Sequence, residues 1–293
     1  MNGVLLIDKP LGPTSTDIVR IVRRTLNTRK VGHAGTLDPQ ASGLLVVAVG
    51  AATRIIQFLQ STQKSYTTTI RFGSETLTDD ADGEVIRRTE HIPDSQRQIE
   101  TCLATYHGTI QQKPPRVSAL KTQGRRLHER VRAGENVDDE IQPRPVQIYS
   151  LQLENWQPPS VTLQMTVGKG FYVRSLARDL GRALESAAHV ERLRRTRIGA
   201  FDVEDAIAPE QVQAHSLISM EEALAHLNTA HADEIMAQRI HHGQRVHLDE
   251  SFDTEGPSQV GDLIRVLAPN NKLIAVSEVT EGRVLRVVRG FRI

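Results

Sequence analysis

The chain has 293 residues, of which 39% are hydrophobic and 24% are charged, and its formal net charge is +1. This composition supports packed domains and excludes a chain that is disordered throughout. A single cysteine, Cys102, excludes an intrachain disulfide framework and a zinc site built from cysteines. The length predicts about two domains. Because no apolar run reaches the roughly 18 residues of a membrane span, and the N-terminus lacks the features of a signal peptide, we expect a cytoplasmic protein.

The first third of the chain alternates predicted strands and helices. Residues 3–8 form an apolar strand, and a turn rich in proline and glycine follows. Residues 14–17 offer N-caps for a helix whose apolar residues between Ile18 and Leu26 recur at helical spacing. Residues 44–49 are almost purely apolar and residues 67–72 alternate, so both stretches predict strands.

The middle of the chain contains a polar segment, a short helix and a second strand and helix pair. Residues 74–84 predict an acidic, polar loop. Asp94 is the predicted N-cap of a helix whose apolar stripe includes Cys102, which indicates core packing rather than a nucleophile. Residues 161–167 predict a strand, and the helix that follows the next glycines has an apolar face from Val173 to Leu184.

Strands and helices interleave without a regular βαβ order, which favours an α+β class. We expect a mixed, mainly antiparallel sheet flanked by helices over residues 1–228. From about Ile235 the pattern changes to short strands, with a hairpin turn at residues 269–271. These features predict a small β-barrel-like module over residues 235–293, joined through a linker at residues 228–234.

Two clusters of positive charge interrupt this nearly neutral chain, at residues 113–132 and 192–197. Acidic residues are concentrated elsewhere, at 74–84, 138–140 and 249–255. Basic runs are usually solvated helix faces, but this segregation favours a positive surface suited to a phosphate backbone. Charge alone does not distinguish DNA, RNA and a phosphorylated metabolite.

The segment GHAGTLDPQASG, residues 32–43, sets Asp38 in a glycine-rich loop directly before the apolar run. An aspartate before a proline is common in turns and by itself indicates only a turn. However, Gly35 and Gly43 permit the close approach of a ligand or another backbone segment, and a buried strand would hold the loop rigidly. The loop is therefore a candidate site for presenting a carboxylate.

Seven ordered motifs show a resemblance that covers nearly the whole chain. They are LLIDKPLGPTS at 5–15, RKVGHAGTLDPQASGLL at 29–45, KSY at 64–66, DADG at 80–83, PPRVSALK at 114–121, GFYVRSLARDLG at 170–181 and LRRTRIGAF at 193–201. With these motifs the chain resembles the bacterial tRNA pseudouridine synthases that isomerise uridine 55 in the T-loop. The last sixty or so residues resemble, more loosely, a PUA-like RNA-binding module.

The resemblance implies three catalytic residues. Asp38 is the implied nucleophile, Arg174 its guanidinium partner, and Tyr66 a stacking platform for the base and a candidate general base. Whether Asp38 attacks C1′ of the sugar, attacks C6 of the base or assists a glycal route stays open. The reaction that the resemblance implies needs no redox step, so we expect no cofactor and no metal.

The resemblance also implies residues that bind the RNA. His33 would fill the gap left by a flipped-out uridine, and Leu193 would form an apolar wall under the base. The other implied contacts are Lys9, Gly35 and Lys121. The positive charge of a basic insertion at about residues 113–142, which includes Lys121, separately predicts RNA contacts by Arg125 and Arg126. The expected partner is the T-stem-loop of tRNA, with no membrane and with a monomeric enzyme.

Two other classes of function stay open at this stage. One is a non-catalytic tRNA-binding or tRNA-folding protein on the same scaffold, which replacement of a catalytic residue would indicate. The other is a glycoside- or nucleoside-cleaving enzyme, which would need a pair of carboxylates. Two positions depart from the family pattern: Phe171 replaces a small hydroxyl residue, and Leu77 replaces a common aspartate.

Overall fold

The computed structural model describes residues 1–60, 62–118, 120–122, 124–248, 252–256 and 258–291, and the side chains of Lys121, His128, Asp138 and Asp253 lie outside that description. The strands are β1 (Gly3–Lys9), β2 (Val31–His33), β3 (Ala41–Val49), β4 (Lys64–Phe72), β5 (Ser74–Thr76), β6 (Val85–Arg88), β7 (Gly108–Gln112), β8 (Lys121–Thr122), β9 (Arg125–Arg126), β10 (Arg144–Gln157), β11 (Ser160–Val167), β12 (Ala188–Ile198), β13 (Phe201–Asp202), β14 (Asn228–His231), β15 (Val246–His247), β16 (Asp253–Glu255), β17 (Leu263–Leu267), β18 (Leu273–Thr280) and β19 (Val284–Gly290). The helices are α1 (Ser15–Thr25), α2 (Ile56–Gln60), α3 (Gln96–Leu103), α4 (Leu127–Arg132), α5 (Val173–Ala183), α6 (Met220–Ala223) and α7 (Glu234–His241).

Nine of the described strands form a central sheet with the path β1-β3-β12-β4-β11-β10-β7, to which β2 and β13 add at the side. Every neighbouring pair is antiparallel except β3 with β12. The predicted α+β class with a mixed, mainly antiparallel sheet is therefore confirmed. Within the described residues, no helix is both long and apolar enough to cross a bilayer.

Strand β3 is buried on both faces, which explains why its apolar run does not alternate with polar residues. Leu45 and Val47 belong to a core cluster shared with α1, whereas Leu44 and Val46 belong to a separate cluster on the opposite face. Alternate side chains of a strand point to opposite faces, so this one strand supplies two cores. The loop that precedes β3 is thereby attached to the most buried strand of the sheet.

Helix α1 begins as the sequence predicts. Thr14 is its N-cap, and a reciprocal capping box joins the Thr14 hydroxyl and the Asp17 carboxylate. Helix α3 is also present, but its N-cap is Ser95, whose hydroxyl accepts from the backbone N–H of Gln98, and not the predicted Asp94. The thiol of Cys102 is half-buried against the core, and burial raises its pKa.

The C-terminal part of the chain is a second sheet, with the path β15-β19-β18-β17-β14-β16 through the described strands. The predicted hairpin is the antiparallel pair β17 and β18. The prediction of a linker at 228–234 is wrong, because β14 lies in this segment and pairs in parallel with β17. Asp233 then caps α7, so residues 234–241 form a helix and not the expected short strands.

The insertion is a small folded unit with its own apolar cluster, formed by Leu127, Val137 and Ile141. Arg130 is buried there and forms ion pairs with Glu135 and Glu140 at 2.6 and 2.5 Å. The insertion is therefore less basic than its sequence indicates, because part of its positive charge is neutralised internally.

Candidate active site

The loop that carries Asp38 is fixed by hydrogen bonds from the N-terminal end of α1. The buried Ser15 hydroxyl donates to the carbonyl of Leu37 and accepts from its N–H, each at 2.9 Å. The N–H of Gly12 donates to the carbonyl of Pro39 at 2.9 Å, and the N–H of Ala41 closes the turn onto the carbonyl of Asp38 at 3.0 Å. The carboxylate is thus presented by a loop whose backbone is held on both sides.

The buried guanidinium of Arg195 also holds the Asp38 loop. Arg195 is 1% exposed, and its side chain donates to the carbonyls of Leu44, Gly35 and Thr36 at 2.8, 3.2 and 3.4 Å. The prediction that the 192–197 cluster faces a phosphate backbone is therefore wrong for Arg195. Its function in the fold is to satisfy backbone carbonyls beside the Asp38 loop.

Gly43 is required by this arrangement. Its φ is +99°, and a Cβ added there would lie 2.2 Å from the carbonyl oxygen of Arg195. No side chain fits at such a distance, so the close pairing of β3 and β12 depends on glycine at this position.

Arg174, at the start of α5, forms an ion pair with Asp38. Its Nη2 lies 2.9 Å from Oδ2 of Asp38, and the arginine side chain is 9% exposed while that of the aspartate is 41% exposed. Nη1 donates to the carbonyls of Thr78 and Val117 at 2.9 and 3.1 Å. The guanidinium is therefore fixed in the protein, while the carboxylate that it orients remains accessible from solvent.

A second carboxylate lies on the same guanidinium. Oδ2 of Asp80 is 3.6 Å from Nη1 of Arg174, and its Oδ1 accepts from the Thr78 hydroxyl at 2.5 Å. The pKa of Asp80 is raised, chiefly by burial. Arg174 therefore contacts two carboxylates, the accessible one of Asp38 and the largely buried one of Asp80, whose side chain is 13% exposed.

Helix α5 repeats this pattern along one face, because residues four apart lie on the same side of a helix. Arg178 contacts Asp79 at 3.2 Å, and Arg182 contacts Glu75. Burial raises the pKa of Asp79 to about 6, against the effect of Arg178. The segment 74–84, predicted as an acidic, polar loop, begins with strand β5, and its carboxylates at 75, 79 and 80 are buried against α5.

The pairing of β3, β12 and β4 determines on which face of the sheet Tyr66 and Leu193 lie. Arg195 on β12 is paired with both Gly43 on β3 and Tyr66 on β4, and Leu193 lies two residues earlier on β12. Directly paired residues on neighbouring strands point to the same face, as do residues two apart on one strand. Tyr66 and Leu193 therefore emerge on the face from which Arg195 contacts the Asp38 loop, and both are half-buried.

Lys9 and His33 complete the surroundings of the loop. The fully buried Lys9 ammonium donates to the carbonyls of Pro10 and Pro13 at 2.9 and 2.8 Å. Burial lowers its pKa, with Asp38 opposing and Arg195 adding to that effect. Burial also lowers the pKa of His33, whose Nδ1 has no hydrogen-bond partner among the described residues.

The other predicted RNA contacts lie in the insertion. Arg125 and Arg126 are exposed, and Arg125 forms an ion pair with Glu135 at 2.6 Å. The side chain of Lys121 falls outside the described residues. The insertion nevertheless adjoins the site, because Val117 at its base accepts a hydrogen bond from Arg174.

Sequence reasoning did not assign Ser15, Asp80 or Arg195 to the site. Arg195 could have been found from its position two residues after Leu193 on the same strand face. At the two departures from the family pattern, Phe171 is half-buried against the core beside α5, and Leu77 is half-buried with its N–H donating to the carbonyl of Glu84 at 2.8 Å.

Replacement of Ser15 by Ala is expected to lower both stability and turnover. It leaves a buried N–H and a buried carbonyl at Leu37 without partners, at a cost of about 1–3 kcal/mol. The loosened Asp38 loop should reduce kcat roughly ten- to hundredfold. Thermal unfolding and single-turnover kinetics check this, with Thr16→Ala, at an exposed neighbour, as the control. A variant as stable and as fast as the parent would show that the hydroxyl does not hold the loop.

Comparison with known proteins identifies the family. The family model described as TruB family pseudouridylate synthase (N terminal domain) matches residues 23–173, and the model described as tRNA pseudouridylate synthase B C-terminal domain matches residues 174–231. A Ruegeria pomeroyi protein named tRNA pseudouridine synthase B is 44% identical over 252 residues, which cover 83% of this chain and 82% of that protein. A protein of the same name from Thermobifida fusca is 39% identical over 295 residues, which cover 96% of each chain.

A solved structure shares the fold over almost the whole chain. The structure titled Crystal Structure of a Cbf5-Nop10-Gar1 Complex superposes with a TM-score of 0.77 at 25% identity, covering 99% of this chain and 85% of that one. With two family models that together match residues 23–231 and relatives aligned over most of their lengths, this chain belongs to the TruB family of pseudouridylate synthases.

Proposed function

We propose that this protein isomerises uridine 55 in the T-loop of tRNA to pseudouridine. The observation that carries the proposal is the ion pair between Asp38 and the buried Arg174, which joins two of the motifs that define the resemblance. The names of the relatives support the reaction and its tRNA substrate. The position within tRNA rests on the family resemblance.

Asp38 is the proposed nucleophile. The reaction breaks the bond from N1 of the uracil to C1′ of the ribose, turns the base, and joins C5 to C1′. A positioned carboxylate can form a transient covalent bond that divides this step into two easier ones. Arg174 holds one carboxylate oxygen of Asp38, and the Asp38 side chain is 41% exposed, so a substrate can reach the carboxylate.

Tyr66 is the proposed base platform and proton acceptor. The isomerisation removes a proton from C5 and returns one to N1, so a group beside the base must accept it. Tyr66 emerges on the sheet face of the Asp38 loop, where its ring can also stack on the uracil. Leu193, on the same face, supplies an apolar surface beneath the base.

The remaining site residues have proposed roles in holding the extruded nucleotide. His33 lies near the Asp38 loop and presents a ring that can occupy the space left by the flipped base. Lys9 organises the turn before α1 through its two carbonyl contacts. Gly35 adopts a φ of +111°, a conformation that favours glycine, and its carbonyl accepts from Arg195 at 3.2 Å.

The structure bears on the alternative of a glycoside-cleaving enzyme. Such an enzyme needs two accessible carboxylates, one of them a proton donor. Asp80 is a second carboxylate on Arg174, but its side chain is only 13% exposed and its oxygens are engaged by Thr78 and Arg174. This arrangement favours a single reactive carboxylate. The alternative of a non-catalytic RNA-binding protein is not favoured, because Asp38, Tyr66 and Arg174 are all retained.

We further propose that residues 1–228 are the catalytic domain and that the C-terminal sheet is a PUA-like RNA-binding module. The six-stranded sheet with its short helix α7 supports this assignment. Because one copy of the chain supplies every residue of the proposed site, we propose that the enzyme acts as a monomer.

The direct test is incubation with an unmodified tRNA transcript, followed by mapping of pseudouridine at each position. We expect conversion at uridine 55 alone. Conversion at another position would overturn the assigned target, and no conversion would overturn the assigned reaction.

Replacement of Arg125 and Arg126 by Gln is expected to weaken tRNA binding. The slope of log K against log salt is negative, and each lost phosphate contact reduces its magnitude by about 0.7–0.9. Binding titrations at several salt concentrations measure this slope. The control is Glu129→Gln, which removes a negative charge from the same insertion and so should not weaken binding. An unchanged slope would place these two side chains away from the RNA.

A further inference from the structure

A groove outside the site lies at the C-terminal end of α1. It is lined by Arg20, Arg23, Arg24, Asn27, Thr28 and Arg29. Four of these six residues are arginines, all exposed, and Lys30 follows directly in the chain. The groove is therefore a concentrated positive surface in a chain whose net charge is only +1.

The charge of the groove is only partly neutralised by neighbouring groups. Between Asp17 and Asp38 the sequence contains no acidic residue. Arg20 forms an ion pair with Asp17 at 2.9 Å, and Arg23 donates to the carbonyl of Val31 at 3.0 Å. In the described part of the chain, the side chains of Arg24 and Arg29 form no ion pair or hydrogen bond. Two arginines are thus structurally engaged and two are available to a ligand.

Stabilisation of the helix does not account for this surface. Basic residues in the last turn of a helix interact favourably with its dipole, which explains Arg23 and Arg24. Arg29 and Lys30 follow the end of α1 at Thr25, and the dipole effect falls off within one turn. The helix dipole therefore does not explain the positive charge of Arg29 and Lys30.

The groove is on the same side of the sheet as the site. Leu5 and Ile7 of β1 pack in the cluster with α1, and Lys9 is the next residue on that strand face. Strand β2 then leads from Val31, beside the groove, to His33, beside the Asp38 loop, a rise of roughly 7 Å. An RNA bound at Asp38 can therefore extend across α1 to the groove.

We propose that this groove binds backbone phosphates of the tRNA, at nucleotides away from the uridine that reacts. The inference rests on the proposed function. The planar guanidinium groups of Arg24 and Arg29 suit phosphate oxygens, and their contacts carry no sequence information. The groove would position the tRNA without touching the reacting base.

The test is the double variant R24Q/R29Q. Glutamine keeps the helix-forming tendency at position 24 and removes both charges. We expect roughly tenfold weaker binding of unmodified tRNA and a log–log salt slope smaller in magnitude by about 1.4–1.8, with the single-turnover rate at saturating tRNA unchanged. R88Q/R97Q, at two exposed arginines elsewhere on the chain, is the control with the same loss of charge.

The outcomes separate this inference from the proposed function. An affinity and salt slope equal to those of the R88Q/R97Q control would overturn the groove proposal, even if pseudouridine still forms. A loss of the single-turnover rate at saturating tRNA would also overturn it, because the groove would then act in the chemistry. Failure of the parent enzyme to form pseudouridine would instead overturn the proposed function.

Discussion

Replacement of Asp38 by Asn is expected to abolish pseudouridine formation while tRNA binding and the fold are retained. The substitution preserves the shape of the side chain and leaves an oxygen that can accept from Arg174. Only the nucleophilic charge is removed. Removing the nucleophile of an enzyme typically lowers turnover by on the order of 10⁴–10⁶-fold, and we expect a loss of this size.

Three measurements check this expectation: single-turnover kinetics, tRNA affinity and the thermal unfolding midpoint. Because the Asp38 side chain is 41% exposed, its replacement should change the free energy of unfolding little. Asp82→Asn is a matched control, since Asp82 is an exposed carboxylate that accepts from Gln40 at 2.5 Å in the adjoining turn. Retained turnover in the Asp38 variant would show that another group attacks, and an equal loss of tRNA binding would make Asp38 structural.

Replacement of Tyr66 by Phe is expected to reduce the rate about 10²–10⁴-fold with binding preserved. The variant keeps the ring, so base stacking, worth roughly 1–3 kcal/mol, survives. Only the hydroxyl is lost, and with it the proposed proton acceptor. We expect this large effect because the cationic groups Lys9, Arg174 and Arg195 beside the loop donate to backbone carbonyls and are not placed to accept the C5 proton.

Single-turnover kinetics decide between the two roles of Tyr66. A rate within a few-fold of the parent would remove the hydroxyl from the mechanism and leave Tyr66 as a stacking platform. Tyr66→Leu should impair both stacking and proton transfer, and so it should also weaken binding. Tyr149→Phe, at an exposed tyrosine on β10, controls for loss of a phenolic hydroxyl elsewhere.

Sequence patterns predict the elements around the site more accurately than the interactions among its charges. The period of apolar residues and the capping residues locate β1, α1, β11 and α5 closely, because these signals are local. The segment at 228–234 looks like a linker because β14 is short, and its pairing with β17 depends on residues more than thirty positions away in sequence.

The burial and pairing of charged residues also depend on contacts that are distant in sequence. A run of arginines has the same appearance in sequence whether it faces solvent or is buried. The burial of Arg195 depends on carbonyls from the loop before β3, and that of Asp79 depends on Arg178 of α5. The pairing of Arg174 with Asp38 could be inferred only from the family resemblance, because nothing local to either residue indicates the other.

The burial of β3 on both faces links the catalytic loop to the far end of the chain. The cluster that contains Leu44 and Val46 also contains Leu273, Val276 and Phe291 of the C-terminal sheet. The guanidinium of Arg54 lies 5.2 Å from the centre of the Phe291 ring, a further contact between the two parts.

Removing the C-terminal sheet would therefore expose one face of the strand that anchors the Asp38 loop. The two parts of the chain should melt in one cooperative transition, and a fragment ending near residue 228 should be poorly soluble. Substitutions in the C-terminal sheet that loosen its packing on β3 are therefore expected to reduce catalysis at Asp38, although the sheet lies outside the proposed site.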